Sequence, residues 1–358
     1  MINLDDLSAI KQLDSQNALA SINMLSDQCR QAWDVSVSIE FPAVYKNIDH
    51  IIIAGMGGSA YGGRIAKSLY ENLSDLKIPI HLANGYELPG FTSTASLVIL
   101  SSYSGTTEET LSCAKRAKEI GAKITGITSG GALAQFLNEG NYPSLIFDPK
   151  FNPSQQPRIG VGYMVVGLLG MLAKLGFVPL HSDDVNNSID FIKSQTLLYD
   201  APVKLPDNPA KDIAAKLLGK IPVIIVADFL EGAAHAVRNP FHETAKQFAL
   251  YFIVPELNHH LMEGLKFPRE NKQLLKFIFI ESSLYIGRDN ERLQLTHKVV
   301  KQNSIETLCI KLKSNTKFSQ TMELIQIGAY FTFYLAMLNG ADPSQIPWVD
   351  YFKKELGK

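Results

Sequence analysis

Hydroxyl side chains are concentrated in the stretch Ser101–Thr110 of this 358-residue sequence, Ser-Ser-Tyr-Ser-Gly-Thr-Thr-Glu-Glu-Thr. It follows an apolar run that we predict to be a strand. One hydroxyl, from Ser104 or Thr106 with Glu109 as reciprocal partner, would suffice to cap a following helix. The excess of hydroxyls favours a phosphate monoester, whose oxygens accept bonds from hydroxyl and backbone N–H groups. The pattern predicts a phosphate site, with capping as the alternative.

A second turn suited to an anion lies at Gly55–Ala60 and has the pattern G-x-G-x-x-A. In dinucleotide-binding folds, such a turn is accompanied by an acidic residue after the second strand, which binds the ribose. Here the second predicted strand ends in Asn84-Gly85, and the nearest acid, Glu87, lies beyond the turn. The sequence therefore disfavours a nicotinamide cofactor, although the glycines still let backbone N–H groups approach an anion.

Alternating strands and helices position these turns at the carboxyl edge of a parallel sheet. The predicted strands of the first half are His50–Ala54, Ile78–Ala83, Leu97–Ser101, Lys123–Thr128 and Ser144–Asp148. Helices are predicted at Gly63–Leu73, Glu108–Ile120, Ala132–Gly140 and Ile159–Leu175.

The alternation restarts after a polar stretch, His181–Asn187, which we interpret as a hinge. The second half has predicted strands at Pro222–Ala227, Tyr251–Pro255, Phe277–Glu281 and Thr307–Lys311, a helical stretch reaching about Leu250 and a helix at Thr321–Leu338. We predict an α/β protein with two doubly wound parallel-sheet, flavodoxin-like domains related by internal duplication. The expected segments are 1–44 (helical), 45–185 (phosphate-binding) and 186–358.

Composition limits the classes of function. The 34 Lys+Arg and 35 Asp+Glu residues give a net charge of −1, and no basic run indicates a nucleic-acid or membrane-surface partner. Cys29, Cys113 and Cys309 have no paired spacing, which fits a reducing cytoplasm. The first residues lack a signal-peptide pattern. The apolar stretches Ile159–Ala173 and Leu324–Ala341 are expected to be buried helices rather than membrane spans.

The Gly57-Gly58-Ser59 turn and the stretch Ser102–Thr107 together resemble the sugar isomerase (SIS) domain, a phosphosugar-binding unit. Further motifs follow in order: Ile127–Gly131, Gln156-Pro157-Arg158 before Gly162-Tyr163, Asn239–Lys246 and Pro255–His259. Over roughly residues 45–356, this set resembles the bifunctional phosphoglucose/phosphomannose isomerase family, which has two SIS domains.

The resemblance implies interconversion of glucose 6-phosphate, and of mannose 6-phosphate, with fructose 6-phosphate by ring opening and a cis-enediol, without metal or cofactor. Arg158 would stabilise the enediolate, and Glu243 would be the base. His259, contributed by the partner in a homodimer, and Lys353, with Lys354 as the alternative, would open the sugar ring. The implied phosphate contacts are Gly57, Gly58, Ser59, Ser102, Ser104 and Thr107.

Each proposed catalytic residue also has a structural interpretation. Glu243 could form a surface ion pair with Lys246, three residues later. Arg158 could cap its own loop. His259-His260 could bind a metal, but no carboxylate or cysteine lies at a recognisable ligand spacing.

The sequence departs from the family pattern at three places: His242 and Thr244 flank Glu243 in place of asparagines, Ile159-Gly160 replaces alanines, and Ser344-Gln345 replaces Thr-Pro. None of these changes removes a proposed catalytic group. The second-half counterpart of the hydroxyl stretch, Glu281–Gly287, has few hydroxyls, so we expect one phosphate site per chain.

A non-catalytic sugar-phosphate sensor is the alternative function, because SIS domains also serve as regulatory modules. Such sensors are normally joined to a DNA-binding domain, and the first 45 residues contain no basic recognition helix. An isomerase coupled to amination would need an ammonia-supplying domain, for which the chain has no room.

Overall fold

Two parallel sheets organise the computed structural model, which describes residues 2–71 and 78–357. The first contains β1 (His50–Gly55), β2 (Ile80–Ala83), β3 (Ser96–Ser101), β4 (Lys123–Thr128) and β5 (Ser144–Ile146) in the spatial order β2-β1-β3-β4-β5. The second contains β6 (Ile221–Ala227), β7 (Leu250–Val254), β8 (Leu275–Glu281) and β9 (Glu306–Lys311) in the order β7-β6-β8-β9. Both sheets place their first strand between the second and third, which is the flavodoxin-like order. The predicted fold class, with its duplicated parallel sheets, is confirmed.

Helices surround both sheets. They are α1 (Leu7–Leu13), α2 (Ala18–Asn23), α3 (Leu25–Ser38), α4 (Tyr61–Tyr70), α5 (Glu108–Ile120), α6 (Gly131–Glu139), α7 (Val161–Leu175), α8 (Ser182–Tyr199), α9 (Pro209–Leu217), α10 (Glu231–Glu243), α11 (Asn271–Leu274), α12 (Gly287–Gln302), α13 (Lys317–Leu338) and α14 (Pro347–Leu356). The predicted ranges of β4 and α5 agree with the structure to the residue. Residues 72–73 of the predicted helix Gly63–Leu73 lie outside the described residues.

The predicted hinge at His181–Asn187 is wrong, because this stretch begins α8. The His181 backbone N–H donates to the Asp184 carboxylate at 3.2 Å in a capping box. Acidic side chains are favourable in the first turn of a helix, where the dipole is positive. Val185, Ile189 and Ile192 are buried at helical spacing. The polar stretch is therefore the exposed face and start of an amphipathic helix. The division into segments 1–44, 45–185 and 186–358 stays a prediction.

The helical stretch expected up to Leu250 ends earlier, at Glu243. Lys246 has a φ of +55°, a left-handed conformation that a helix cannot continue through, and Leu250 is the first residue of β7. This early end places Glu243 at a helix terminus.

The two long apolar stretches form α7 and α13. In the described part of the chain, α13 is the one helix long and apolar enough to span a membrane, and 89% of its most apolar window is buried inside the protein. All but two residues of α7 are buried. The expectation of buried helices is confirmed, and they provide much of the core behind the site.

Candidate active site

Ser59 connects two loops at the carboxyl edge of the first sheet. Its hydroxyl accepts a hydrogen bond from the Tyr103 backbone N–H at 2.8 Å, and its carbonyl accepts one from the Ser101 hydroxyl at 2.6 Å. The preceding strands, β1 and β3, are neighbours in the sheet. The turn Gly57–Ala60 and the stretch Ser102–Thr107 therefore form one continuous surface.

The buried Ser102 holds the second loop in a tight turn. Its hydroxyl lies 2.8 Å from the Thr107 hydroxyl and accepts from the Gly105 backbone N–H at 3.1 Å. Gly105 has a φ of +69°, and a Cβ atom there would lie 1.8 Å from the Gly130 carbonyl oxygen. A side chain at this position would therefore force the turn open.

Among the described residues, no side chain caps the start of α5. Thr107 occupies the N-cap position without making a capping bond. The exposed Ser104 hydroxyl accepts from the Thr106 backbone N–H at 3.3 Å instead. The capping alternative for Ser104 and Thr106 is therefore wrong. The first-turn N–H groups of α5 lack intrahelical acceptors and lie at the positive end of the helix dipole, where an anion is stabilised.

Arg158 precedes α7, and its side chain is 1% exposed. Its Nε donates to Thr244 Oγ1 at 3.1 Å and its Nη1 to Gln156 Oε1 at 2.8 Å. Its Nη2 donates to the carbonyl oxygens of Pro343 and Ser344 at 2.7 and 3.0 Å. These acceptors come from three separate segments, so Arg158 does more than cap its own loop. Burial lowers the pKa of Arg158, but an arginine remains charged at neutral pH.

Glu243 ends α10, and its Oε2 lies 3.5 Å from Arg158 Nη1. Its side chain is 31% exposed, so the carboxylate remains accessible beside a fixed cation. The alternative interpretation, an ion pair with Lys246, does not hold, because Lys246 Nζ donates to the Glu243 backbone carbonyl at 2.5 Å instead. Burial, with the charge of Arg158, lowers the pKa of Lys246 to about 8.

Ile346 lines two cavities, one of which Glu243 also lines. The first, of about 380 Å³, is lined by Ser104, Ser129 and Gln156, among others. The second, of about 480 Å³, is lined by Glu243 and by residues of α14. Each falls in the size range of small-molecule sites. The exposed Ser104 hydroxyl and the Glu243 carboxylate thus line neighbouring cavities that share Ile346.

His259 lies at the opposite end of the second sheet from Glu243. Gln247, four residues after Glu243, donates to the Leu217 carbonyl just before β6, so Glu243 lies near the amino edge. His259 ends a turn that follows β7 at the carboxyl edge. Because β6 has 7 residues and each adds about 3.3 Å, the two edges are roughly 20 Å apart. One chain does not bring these residues together.

Lys353 and Lys354 are exposed residues of α14. They follow Asp350, which lines the smaller cavity, by three and four residues. Residues at these spacings share a helix face. Both lysines therefore lie about one turn from the cavity wall.

Two residues that hold the site together were missed from the sequence, Gln156 and Thr244. Both are hydrogen-bonded to Arg158. Gln156 belongs to a motif that the sequence analysis quoted, and that motif could have identified it. Thr244 was noted only as a departure from the family, and no local pattern shows that it faces Arg158, 86 residues away.

Comparisons with known proteins find related sequences over most of the chain. Residues 206–356 match the bacterial phospho-glucose isomerase C-terminal SIS domain. The bifunctional phosphoglucose/phosphomannose isomerase of Caldicellulosiruptor bescii is 31% identical over 340 residues, which cover 94% of this chain and 98% of that protein. The enzyme of the same name from Thermoplasma volcanium is 29% identical, with 86% and 91% covered.

Solved structures support the fold alone, because their sequence identities are low. A hypothetical protein from Thermus thermophilus has a TM-score of 0.75 at 14% identity, with 98% of this chain and 93% of that chain covered. The C-terminal domain of glucosamine-fructose-6-phosphate aminotransferase from Francisella tularensis has a TM-score of 0.66 at 16% identity, with 92% and 98% covered. The near full-length sequence relatives, with 31% identity to the Caldicellulosiruptor bescii protein, establish that the chain belongs to the bifunctional phosphoglucose/phosphomannose isomerase family.

Proposed function

We propose that this chain interconverts glucose 6-phosphate and fructose 6-phosphate, and also mannose 6-phosphate and fructose 6-phosphate. Membership of the family supports the reaction class. The observation that carries the proposal is the approach of the accessible Glu243 carboxylate to the buried Arg158 guanidinium, at 3.5 Å. Glu243 lines one cavity and Ser104 lines a second, and the two cavities share Ile346 in their walls. A non-catalytic sensor would need the hydroxyl stretch Ser102–Thr107 but not the pair of Glu243 and Arg158.

Glu243 serves as the base. It takes the proton from C2 of the open-chain aldose and returns it to C1 of the cis-enediolate, so no redox step is needed. Negative charge develops on the substrate oxygens during this transfer. The Arg158 guanidinium stabilises this negative charge, because it is positively charged and is held in place before substrate binds.

The phosphate is held by the hydroxyls of Ser59, Ser102, Ser104 and Thr107, together with the N–H groups of the Gly57-Gly58 turn and of the first turn of α5. The Ser102–Thr107 hydroxyl contact and the Ser59–Tyr103 bond fix these donors before binding. Preorganised donors bind the phosphate without a cost of ordering them. This anchors one end of the substrate while the other reaches Glu243.

Ring opening is carried out by His259 of the partner subunit and by Lys353 of the same chain. The separation of Glu243 and His259 along the second sheet supports this assignment, since a second copy must bring the histidine to the base. The protein is then a homodimer with two shared sites. α14 exposes Trp348, Tyr351 and Phe352 (82%, 59% and 63%), an apolar surface that suits burial in such an interface.

We also propose a cytoplasmic location. Cys29, Cys113 and Cys309 are all free thiols in the structure, and unpaired cysteines suit a reducing compartment.

The experiment that tests the function is product analysis with purified protein and fructose 6-phosphate, with and without exhaustive chelation. We expect glucose 6-phosphate and mannose 6-phosphate to form at rates that chelation does not change. Binding of fructose 6-phosphate without either product would refute the isomerase and favour the sensor.

A further inference from the structure

The loop between α1 and α2 reaches the proposed substrate cavity. Gln16, in this loop, lines the cavity of about 380 Å³ together with Ser104 and Gln156. The motifs of the sequence assign no role to this helical N-terminal segment. Its contact with the cavity is the observation from which the inference starts.

The orientation of the Gln16 amide follows from Arg158, whose guanidinium only donates. Because Arg158 Nη1 lies 2.8 Å from the Gln156 carboxamide, Gln156 must present its oxygen there. Gln156 Nε2 then donates to Gln16 Oε1 at 3.0 Å. The amide nitrogen of Gln16 then takes no part in this chain of bonds, and across the described residues 2–71 and 78–357 it donates no hydrogen bond. Gln16 is half-buried, so this nitrogen has two N–H groups to offer a ligand.

The same loop is tied to the segment that holds Arg158. Asp14 accepts from the backbone N–H groups of Ala18 and Leu19 at 2.7 and 2.9 Å. Ser15 donates to the Asp342 carboxylate at 2.5 Å. Asp342 begins the turn whose next two residues present their carbonyl oxygens to Arg158. Gln16 is thus fixed on both sides relative to the guanidinium.

We infer that Gln16 is a substrate-contacting residue that donates a hydrogen bond to a hydroxyl oxygen on the carbon chain of the bound hexose phosphate. Its hydrogen bond to Gln156, which in turn binds Arg158, places it on the Arg158 side of the cavity. The N-terminal segment then contributes a contact to the substrate. The inference rests on the proposed function, because it takes the cavity as the hexose phosphate site.

Gln16→Glu tests the inference with little change of shape. A glutamate still accepts from Gln156 Nε2, so the chain of bonds to Arg158 survives, but it has no N–H to donate. Gln155→Glu is the matched control: Gln155 lines the same cavity and gains the same charge without loss of the proposed contact. Affinity for fructose 6-phosphate is measured by calorimetry, and turnover by steady-state kinetics.

We expect the Kd for fructose 6-phosphate to rise about ten-fold or more in Gln16→Glu, and at least about five-fold further than in Gln155→Glu. Equal rises of Kd in the two variants would show that the added negative charge alone causes the effect, and would overturn the inference. A fall in kcat for Gln16→Glu at unchanged Kd would also overturn it, since Gln16 would then act only on the position of Arg158. Wild-type protein that binds but does not isomerise the sugar, with the affinity difference intact, would refute the proposed activity and leave the contact standing.

Discussion

The hydrogen bonds around Arg158 give the strongest residue-level support for the proposed reaction. Five hydrogen-bonding contacts hold its guanidinium, and four of them are to neutral oxygen acceptors of Gln156, Thr244, Pro343 and Ser344. A buried charge with so few opposite charges is costly in free energy unless all its donors are satisfied. Several segments of the protein thus combine to fix one cation beside Glu243.

Arg158→Lys is expected to lower kcat about 100-fold or more, with a smaller change in KM. A lysine keeps the charge but has three N–H donors instead of five and no planar fork, so it cannot make all the contacts that fix the cation beside the developing enediolate. Steady-state kinetics with fructose 6-phosphate measure the effect, and circular dichroism checks folding. Arg116→Lys, at an exposed arginine of α5, is the control. A kcat within about three-fold of wild type would remove Arg158 from the chemical step.

At the scale of elements, we propose that the stretch Ser102–Thr107 and the start of α5 bind the phosphate together. Ser104→Ala and Thr107→Ala are each expected to raise KM for fructose 6-phosphate about ten-fold or more, because a lost charge-assisted bond costs ~1.5–3 kcal/mol. Thr106→Ala removes the neighbouring exposed hydroxyl and serves as the control. If Ser104→Ala and Thr107→Ala change KM no more than the control does, the phosphate is not held by this loop.

The packing of α4 against α10 joins the two halves of the chain and contains a histidine whose charged form is disfavoured. Burial, with Arg64 and Arg238 nearby, lowers the pKa of His235 to about 3. An unfolded histidine has a pKa of about 6.5. Between these values only the unfolded state binds the proton, so the free energy of unfolding falls as pH falls from about 6.5 toward 3.

His235→Gln should remove this dependence while keeping an acceptor for Arg238, which now donates to His235 Nδ1 at 3.1 Å. We expect the free energy of unfolding of the wild type, relative to the variant, to fall by up to about 1.4 kcal/mol per pH unit below pH 6. Urea unfolding at pH 7, 6 and 5 measures it. Parallel pH profiles for the two proteins would show that His235 binds its proton at the same pH in the folded and unfolded states, which would contradict the lowered pKa.

Local patterns in the sequence were enough to predict most of the elements but not the contacts between distant ones. β4 and α5 were predicted well because a β-branched run and an amphipathic repeat ended by a glycine are local features. The hinge at His181–Asn187 was wrong because polar residues suit both a linker and a first helical turn. The Arg158 network joins residues up to 186 positions apart, and no local pattern encodes such a contact.

At the scale of the whole molecule, the distance between the ends of the second sheet predicts a shared site. Glu243→Gln and His259→Ala chains, each inactive alone, are mixed and reassociated, and the heterodimer that forms is expected to have activity approaching half that of the wild-type dimer. In the heterodimer, one of the two sites has both wild-type groups. Mass spectrometry confirms that heterodimers form. Heterodimers without activity would place both residues in one chain's site.

The most direct test of the central claim, that Glu243 moves the proton between C1 and C2, is the kcat of Glu243→Gln with fructose 6-phosphate. Glutamine keeps the shape of the side chain but cannot accept the proton. Loss of a general base typically costs about 10²–10⁴-fold, so we expect kcat to fall about 1,000-fold toward both aldose products while KM stays within about five-fold. Glu256→Gln, at an exposed carboxylate near His259, is the control. A Glu243→Gln enzyme that keeps more than about a tenth of the wild-type kcat would contradict the claim.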